Sequence, residues 1–184
     1  MNAGIQQLQT GWIPRKVCFF AGEKIEKNDA RQVYQSVIDS IPAFLTLLPA
    51  EGIDGRYVFG KMAFNIWAET LETDSYFENK TDEELGGICW NLHCSPYCYV
   101  CTSSAYDFFK DAVEQYSDLT MAVKLLPFYK KMQNYRQEIW GLHGDFFPPM
   151  DKYKTHEFRE QIAEILRKMG SVCNEILMTF EEGS

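Results

Sequence analysis

Long apolar runs, blocks of basic residues and histidines are what this sequence has least of. Its longest apolar stretch, "IPAFLTLLPA" (residues 41–50), is too short to cross a bilayer and is interrupted by Pro42 and Pro49. The first sixteen residues lack the basic-then-apolar order of a secretory signal. The expected location is therefore cytoplasmic, where the six cysteines stay reduced. Lys and Arg number 18 against 26 Asp and Glu, a net charge of −8, and the densest basic run is only "YKKM" (residues 129–132). That balance argues against a phosphate-tracking surface and against an anionic membrane, so neither nucleic acid nor membrane is an expected partner.

Whole classes of catalytic signature are missing as well. No G-x-x-x-x-G-K-[ST] or G-x-G-x-x-G phosphate loop occurs, and no G-x-S-x-G nucleophile elbow. The three histidines, His93, His143 and His156, form no HExxH or HxxxH pair. Internal repeats and low-complexity segments are absent.

What is there points to a packed helical body. Apolar residues make up 46% of the 184 and aromatics 15%, enough for a sizeable core. Residues 1–16 read as a flexible segment, and residues 17–184 as one helical-bundle domain. The run "KVCFFAGEK" (16–24) reads as one short buried strand, with no other strand to pair with. After it the period is helical. "NDARQVYQSVIDSI" (28–41) opens on an Asn-Asp cap and places Val33, Val37 and Ile41 on one stripe, with Pro42 disturbing the helix. "LLPAEGIDG" (47–55) reads as a loop by its Pro and two Gly. "RYVFGKMAFNIWAETLE" (56–72) repeats at Phe59, Ala63, Ile66, Trp67 and Leu71. "TDEE" (81–84) is a capping box, a Thr cap with Glu three residues on, leading into Leu85, Ile88 and Cys89. A long segment (117–142) carries Leu125, Phe128, Met132, Tyr135, Ile139 and Leu142, with a kink expected at Pro127. The most regular stripe comes last, at Phe158, Ile162, Ile165, Met169, Val172, Ile176 and Phe180. The expected fold is mainly α, a bundle of about five long helices kinked at Pro, with one N-terminal strand-like segment.

The segment "HCSPYCYVC" (93–101) carries the spacing C-x3-C-x2-C, which could hold an iron–sulfur cluster. Cys94, Cys98 and Cys101 also fall on one helical face that continues through Ala105, Phe108, Ala112 and Tyr116. A chelating loop has no reason to continue into apolar residues at that period, and a zinc site lacks its second CxxC pair. The cysteines therefore read as packing, with no metal and no cofactor. Pro96 bends or breaks the helix there and opens a concavity lined by Trp90, His93 and Tyr97, a candidate ligand site. His143 in "GLHGD" reads as a loop residue and is the fourth candidate. His156 reads as a first-turn surface residue behind a Thr155 cap.

The order of features suggests a family. A short strand ending in "AGEK", then "ARQVYQSVIDSIPAFLTLLP", "FGKMAFNIWAETLE" and "SDLT" opening a long helix, resembles the C-terminal helical half of butirosin biosynthesis protein H-like proteins. The resemblance spans roughly residues 16 to 180 and rests on packing patterns. It implies a cysteine-peptidase-type N-terminal half in which Cys and His transfer an acyl group from a carrier protein to an amine. Only 16 residues precede Val17, so that half is expected outside this chain, and no family catalytic residue falls on a position here. The expected function is a non-catalytic helical domain that packs on or completes the catalytic half. Its expected partner is that half, or a second copy of itself through the N-terminal strand. A stand-alone bundle binding a small molecule near Pro96 is the alternative from another class, and a Cys/His transferase or hydrolase is the third.

Overall fold

The computed structural model describes residues 6–8, 17–19, 30–52, 55–93, 104–144 and 150–182. It is mainly helical. Chain contacts divide it into two units, Met1–Val33 and Tyr34–Ser184.

In the first unit, strand β1 (Gln6–Leu8) pairs antiparallel with β2 (Val17–Phe19), Gln7 opposite Cys18. The strand at Val17 was expected to lack a partner in its own chain. It has one, because the polar Gln-Gln-Leu segment, which carries little apolar signal of its own, supplies the backbone groups.

The second unit holds the core. Helix α1 (Ala30–Leu45), which starts in the first unit, is followed by a hairpin of β3 (Ala50–Gly52) and β4 (Gly55–Tyr57), then α2 (Gly60–Glu72) and the one-turn α3 (Asp74–Phe77). Next come α4 (Asp82–His93), α5 (Ala105–Gln115), α6 (Thr120–His143), the one-turn α7 (Asp151–Lys154) and α8 (His156–Glu181). The expected loop at 47–55 thus contains the first strand of a hairpin, with Gly52 opposite Gly55.

Helix α8 is the spine. It packs on α2 and on α6, and α6 packs in turn on α5. Its stripe Ile162, Ile165, Met169, Val172 and Ile176 is buried as the sequence period implies, with Phe158 and Phe180 half-buried at its ends. Ala163, Leu166, Gly170 and Cys173 widen that stripe, so α8 is covered on two sides. Helix α2 comes close at Gly170, where an added Cβ would stand 3.3 Å from Phe64 Cβ and from Asn65 Oδ1. Polar clasps flank the seam. Arg167 makes a two-pronged contact with Glu72, and Lys131 Nζ reaches both Glu175 oxygens at 2.9 and 3.0 Å. On α5, Phe109 stacks on Tyr129 of α6 at 4.3 Å, and Tyr34 of α1 donates to Asp111 at 2.5 Å.

Several sequence expectations change here. On α1 the buried residues are Ile38 and Ile41, with Tyr34 and Leu45 half-buried beside them, while Val33 and Val37 face outward. The helix is rotated from the expected stripe, because Tyr34 finds the Asp111 carboxylate and the Phe108 ring of α5 to pack on. Pro42 lies inside α1, which continues to Leu45. Pro127 likewise lies within α6, on its exposed side, where the carbonyl left without an amide partner can meet water. Helix α2 begins only at Gly60, and Ile66 is exposed while Ala68 is buried. Gly60 is fixed by geometry: its φ is +54°, and a Cβ there would lie 2.4 Å from the Leu45 carbonyl oxygen. The capping box forms as expected, with the Thr81 amide donating to Glu84 at 2.8 Å and the Glu84 amide to Thr81 Oγ1 at 3.3 Å. Cys94, Cys98, Cys101 and the Pro96 bend lie outside the described residues.

Two glycine substitutions test this packing in opposite directions. Gly170→Leu should lower the unfolding free energy by about 1–3 kcal/mol by overpacking the α2–α8 crossing. Gly87→Ala, in α4 with nothing within 4 Å of the added Cβ, should raise it by roughly 0.5–1 kcal/mol. Urea denaturation followed by circular dichroism measures both.

Candidate functional site

The polar groups buried in the core gather at one end of the bundle, where α2, α6, α7 and the start of α8 meet. Arg159 sits one turn before Ile162 in the buried register of α8, and only 1% of its surface is exposed. A guanidinium there has to donate its hydrogen bonds inside the protein. Its Nε donates to the Leu71 carbonyl at 2.8 Å, in the last turn of α2, and one terminal nitrogen to the Tyr153 carbonyl at 2.8 Å, in α7. The other meets the Asp74 carboxylate, in the first turn of α3. Its flat face lies over the Phe77 ring at 4.3 Å. One side chain thus ties four helices together through carbonyls and a carboxylate that helix ends leave open. Burial pulls its pKa down, and the Asp74 charge opposes that pull.

Asp74 is exposed and also accepts from His156 Nδ1 at 2.8 Å. That contact, helped by the Arg159 charge, holds its carboxyl below the usual range. His156 is the first residue of α8 behind Thr155, on the surface as the sequence implies. Beyond it runs an open surface groove of about 460 Å³ lined by Glu72, Glu157, Glu160, Gln161, Glu164 and Arg167.

Inside the same end, the Tyr153 hydroxyl lies 2.6 Å from His143 Nε2, and Cys89 of α4 is close enough to act on the Tyr153 phenol. All three residues are buried. Burial first, and Cys89 second, push the Tyr153 pKa far up, so the phenol stays neutral. Phe158 packs edge-on against Tyr153 at 5.2 Å and lies 5.9 Å from the imidazole. Helix α6 ends here because Gly144 takes a left-handed conformation at φ +74°. Lys152 Nζ caps that end, donating to the Leu142 and His143 carbonyls at 3.3 and 3.2 Å.

Of the four candidates read from the sequence, only His143 has a described side chain. It is not a loop residue: the helix runs through Gly141, and His143 is buried in its last turn. Trp90 and His93 lie on α4, their side chains outside the described part, and Tyr97 lies outside the described residues. Sequence reading missed Arg159, Tyr153, Asp74 and the Tyr153 contact of Cys89. The signal for Arg159 was its register, three residues before Ile162 on the most regular stripe.

Chemically the cluster is fitted to hold helices. The tyrosine, imidazole and thiol that could move protons or attack a substrate are closed off from solvent. Cys173 is buried too, and burial pushes its thiol up to about 11, away from the reactive thiolate. Among the described residues no group of three or more His, Cys, Asp or Glu is placed to hold a metal ion. Among them, also, no helix is long and apolar enough to cross a membrane. Compared with family models, with curated proteins and with solved structures, the chain matches none.

Arg159→Met should cost about 3–5 kcal/mol in urea unfolding, because it strips donors from two buried carbonyls and a cation from Asp74. Arg159→Lys should recover only part of that, since one ammonium cannot span the same acceptors. Asp74 also sets an acid limit. Its carboxyl is lowered in the folded state, so its contribution is present above the ordinary value and is lost as pH falls below about 4. Asp74→Asn should therefore be less stable than the parent at neutral pH, and the difference in melting temperature should shrink steadily as pH is lowered below about 4 and through the lowered folded-state value.

Proposed function

We propose that this chain is a non-catalytic helical module of the butirosin H-like acyltransferase type, which packs through α1 on a catalytic domain supplied elsewhere. The observation that carries the reading is the outer face of α1. Val37, Phe44, Leu47 and Leu48 are all exposed on and just after that helix, Leu48 at 82%. Neighbouring α2 adds exposed Met62 and Ile66. Large apolar side chains exposed in such number over consecutive turns mark a surface that associates. The burial of Tyr153, His143, Cys89 and Cys173 supports the non-catalytic half of the reading, because a substrate cannot reach any of them.

Binding to a purified catalytic half of a butirosin H-like protein, followed by calorimetry, tests this. Phe44→Asp and Leu48→Asp should each weaken that association about 10- to 100-fold, the worth of one large apolar side chain newly buried. Both should leave the melting temperature of the isolated chain within about 2 °C, since surface substitutions rarely exceed 0.5 kcal/mol. Absence of binding, or binding indifferent to both substitutions, overturns the reading. So does acyl transfer from a carrier-protein thioester to an amine by this chain alone.

A further inference from the structure

The outer face of α1 is uncharged as well as apolar, and that narrows what can cover it. Ser36, Val37, Ser40, Ala43 and Phe44 are exposed on the side of the helix away from Ile38, and Leu47 extends the stripe past its end. They recur at three- and four-residue steps, the seam along which two helices lie side by side. None of the six carries a charge, and Asp39, at the rim, accepts from Gln35 at 2.7 Å. A charged surface laid on this stripe would lose its water and find nothing to pair with. The Ser40 hydroxyl is already engaged, donating to the Val37 carbonyl at 2.7 Å, so the middle of the stripe can be covered without stranding a donor.

The stripe is also graded in size. Small Ser36 and medium Val37 stand before Ser40, and bulky Phe44 and Leu47 stand after it. The face that complements it is its own, reversed. With two α1 helices antiparallel about a two-fold axis at Ser40, Phe44 meets Ser36 of the second copy and Val37 meets Ala43, while the paired serines let the backbones approach. Parallel pairing would set Phe44 on Phe44 and leave small residues facing small ones. The first turn of α1 holds no acid and its last turn no base. A reversed neighbour brings the negative end of each helix toward the positive end of the other. With Leu48, the exposed part of the stripe comes to roughly 500 Å² per copy, so a pair covers about 1,000 Å², the lower bound of a specific interface.

We propose that the free chain pairs with a second copy of itself through this face, α1 antiparallel to α1 about a two-fold axis at Ser40. The pairing rests on the same exposed face as the docking reading and makes the catalytic half compete with a second copy for it. The two fail separately, because the pairing is decided with this chain alone and the docking by calorimetry with the catalytic half.

Sedimentation velocity from about 1 to 300 µM should show monomer passing to dimer with a midpoint at roughly 10–100 µM, as for interfaces at the small end of the size range. Phe44→Asp, which sets a carboxylate over Ser36 of each copy, should weaken the pairing at least about tenfold. Ser40→Cys brings two thiols to the axis, within disulfide reach. Mild oxidation should link the chains through those introduced thiols, as read by peptide mass spectrometry. Leu47→Cys should give no such link, because its two copies lie about 20 Å apart along antiparallel helices. Both positions are exposed, so both cysteine variants should keep the parent's circular dichroism. A chain that sediments as monomer throughout, or a dimer indifferent to Phe44→Asp, overturns the proposal. So does the absence of a link with Ser40→Cys, or a link with Leu47→Cys, which marks parallel pairing.

Discussion

The rest of the fold depends on the buried guanidinium of Arg159. Helix ends leave carbonyls without amide partners, and where several helices finish at one place those carbonyls have to be met from within. Arg159 meets the last turn of α2 and the turn of α7, and it draws in Asp74 at the start of α3. A planar fork with five N–H donors suits that geometry, and the Phe77 ring covers its face. The apolar seam along α8 supplies most of the burial, and the guanidinium fixes where α2, α3 and α7 stop relative to it.

This division explains why the two ends of α8 behave differently. Toward its C-terminus, Ile165, Met169, Val172 and Ile176 pack against helices that are long and regular, and Gly170 lets α2 approach. Toward its N-terminus the partners are single turns, α3 and α7, too short to be stable by their own hydrogen bonds. They are held by specific polar contacts, and such contacts respond to charge. The acid limit set by Asp74 belongs to that end.

The long-period features of the fold were legible in the sequence. The α8 and α6 stripes each repeat often enough to outvote local exceptions, and the Thr81–Glu84 box is a local motif that carries its own two hydrogen bonds. The face of α1 was not, because Val33, Val37 and Ile41 make as good a stripe as Tyr34, Ile38, Ile41 and Leu45, and only the position of Asp111 and the rings of α5 separates them. His143 was misplaced because two glycines flank it, although only Gly144 takes the left-handed conformation that ends a helix. Arg159 escaped because arginine in a helix ordinarily lies along the surface with its head in water. Its carbonyl partners are more than one element away in sequence for α2, and no local pattern records them. The reading of the cysteine-rich stretch as core packing concerns residues outside the described part.

The account rests on Arg159 being buried and donating, and a two-dimensional proton–nitrogen spectrum of arginine side chains tests that most directly. An arginine Nε–H held against the Leu71 carbonyl should give a sharp, well-dispersed signal, exchanging with water far more slowly than those of the surface arginines, and Arg159→Lys should remove it. If every arginine Nε–H instead exchanges at the rate of free arginine, the guanidinium is in water and the account is wrong.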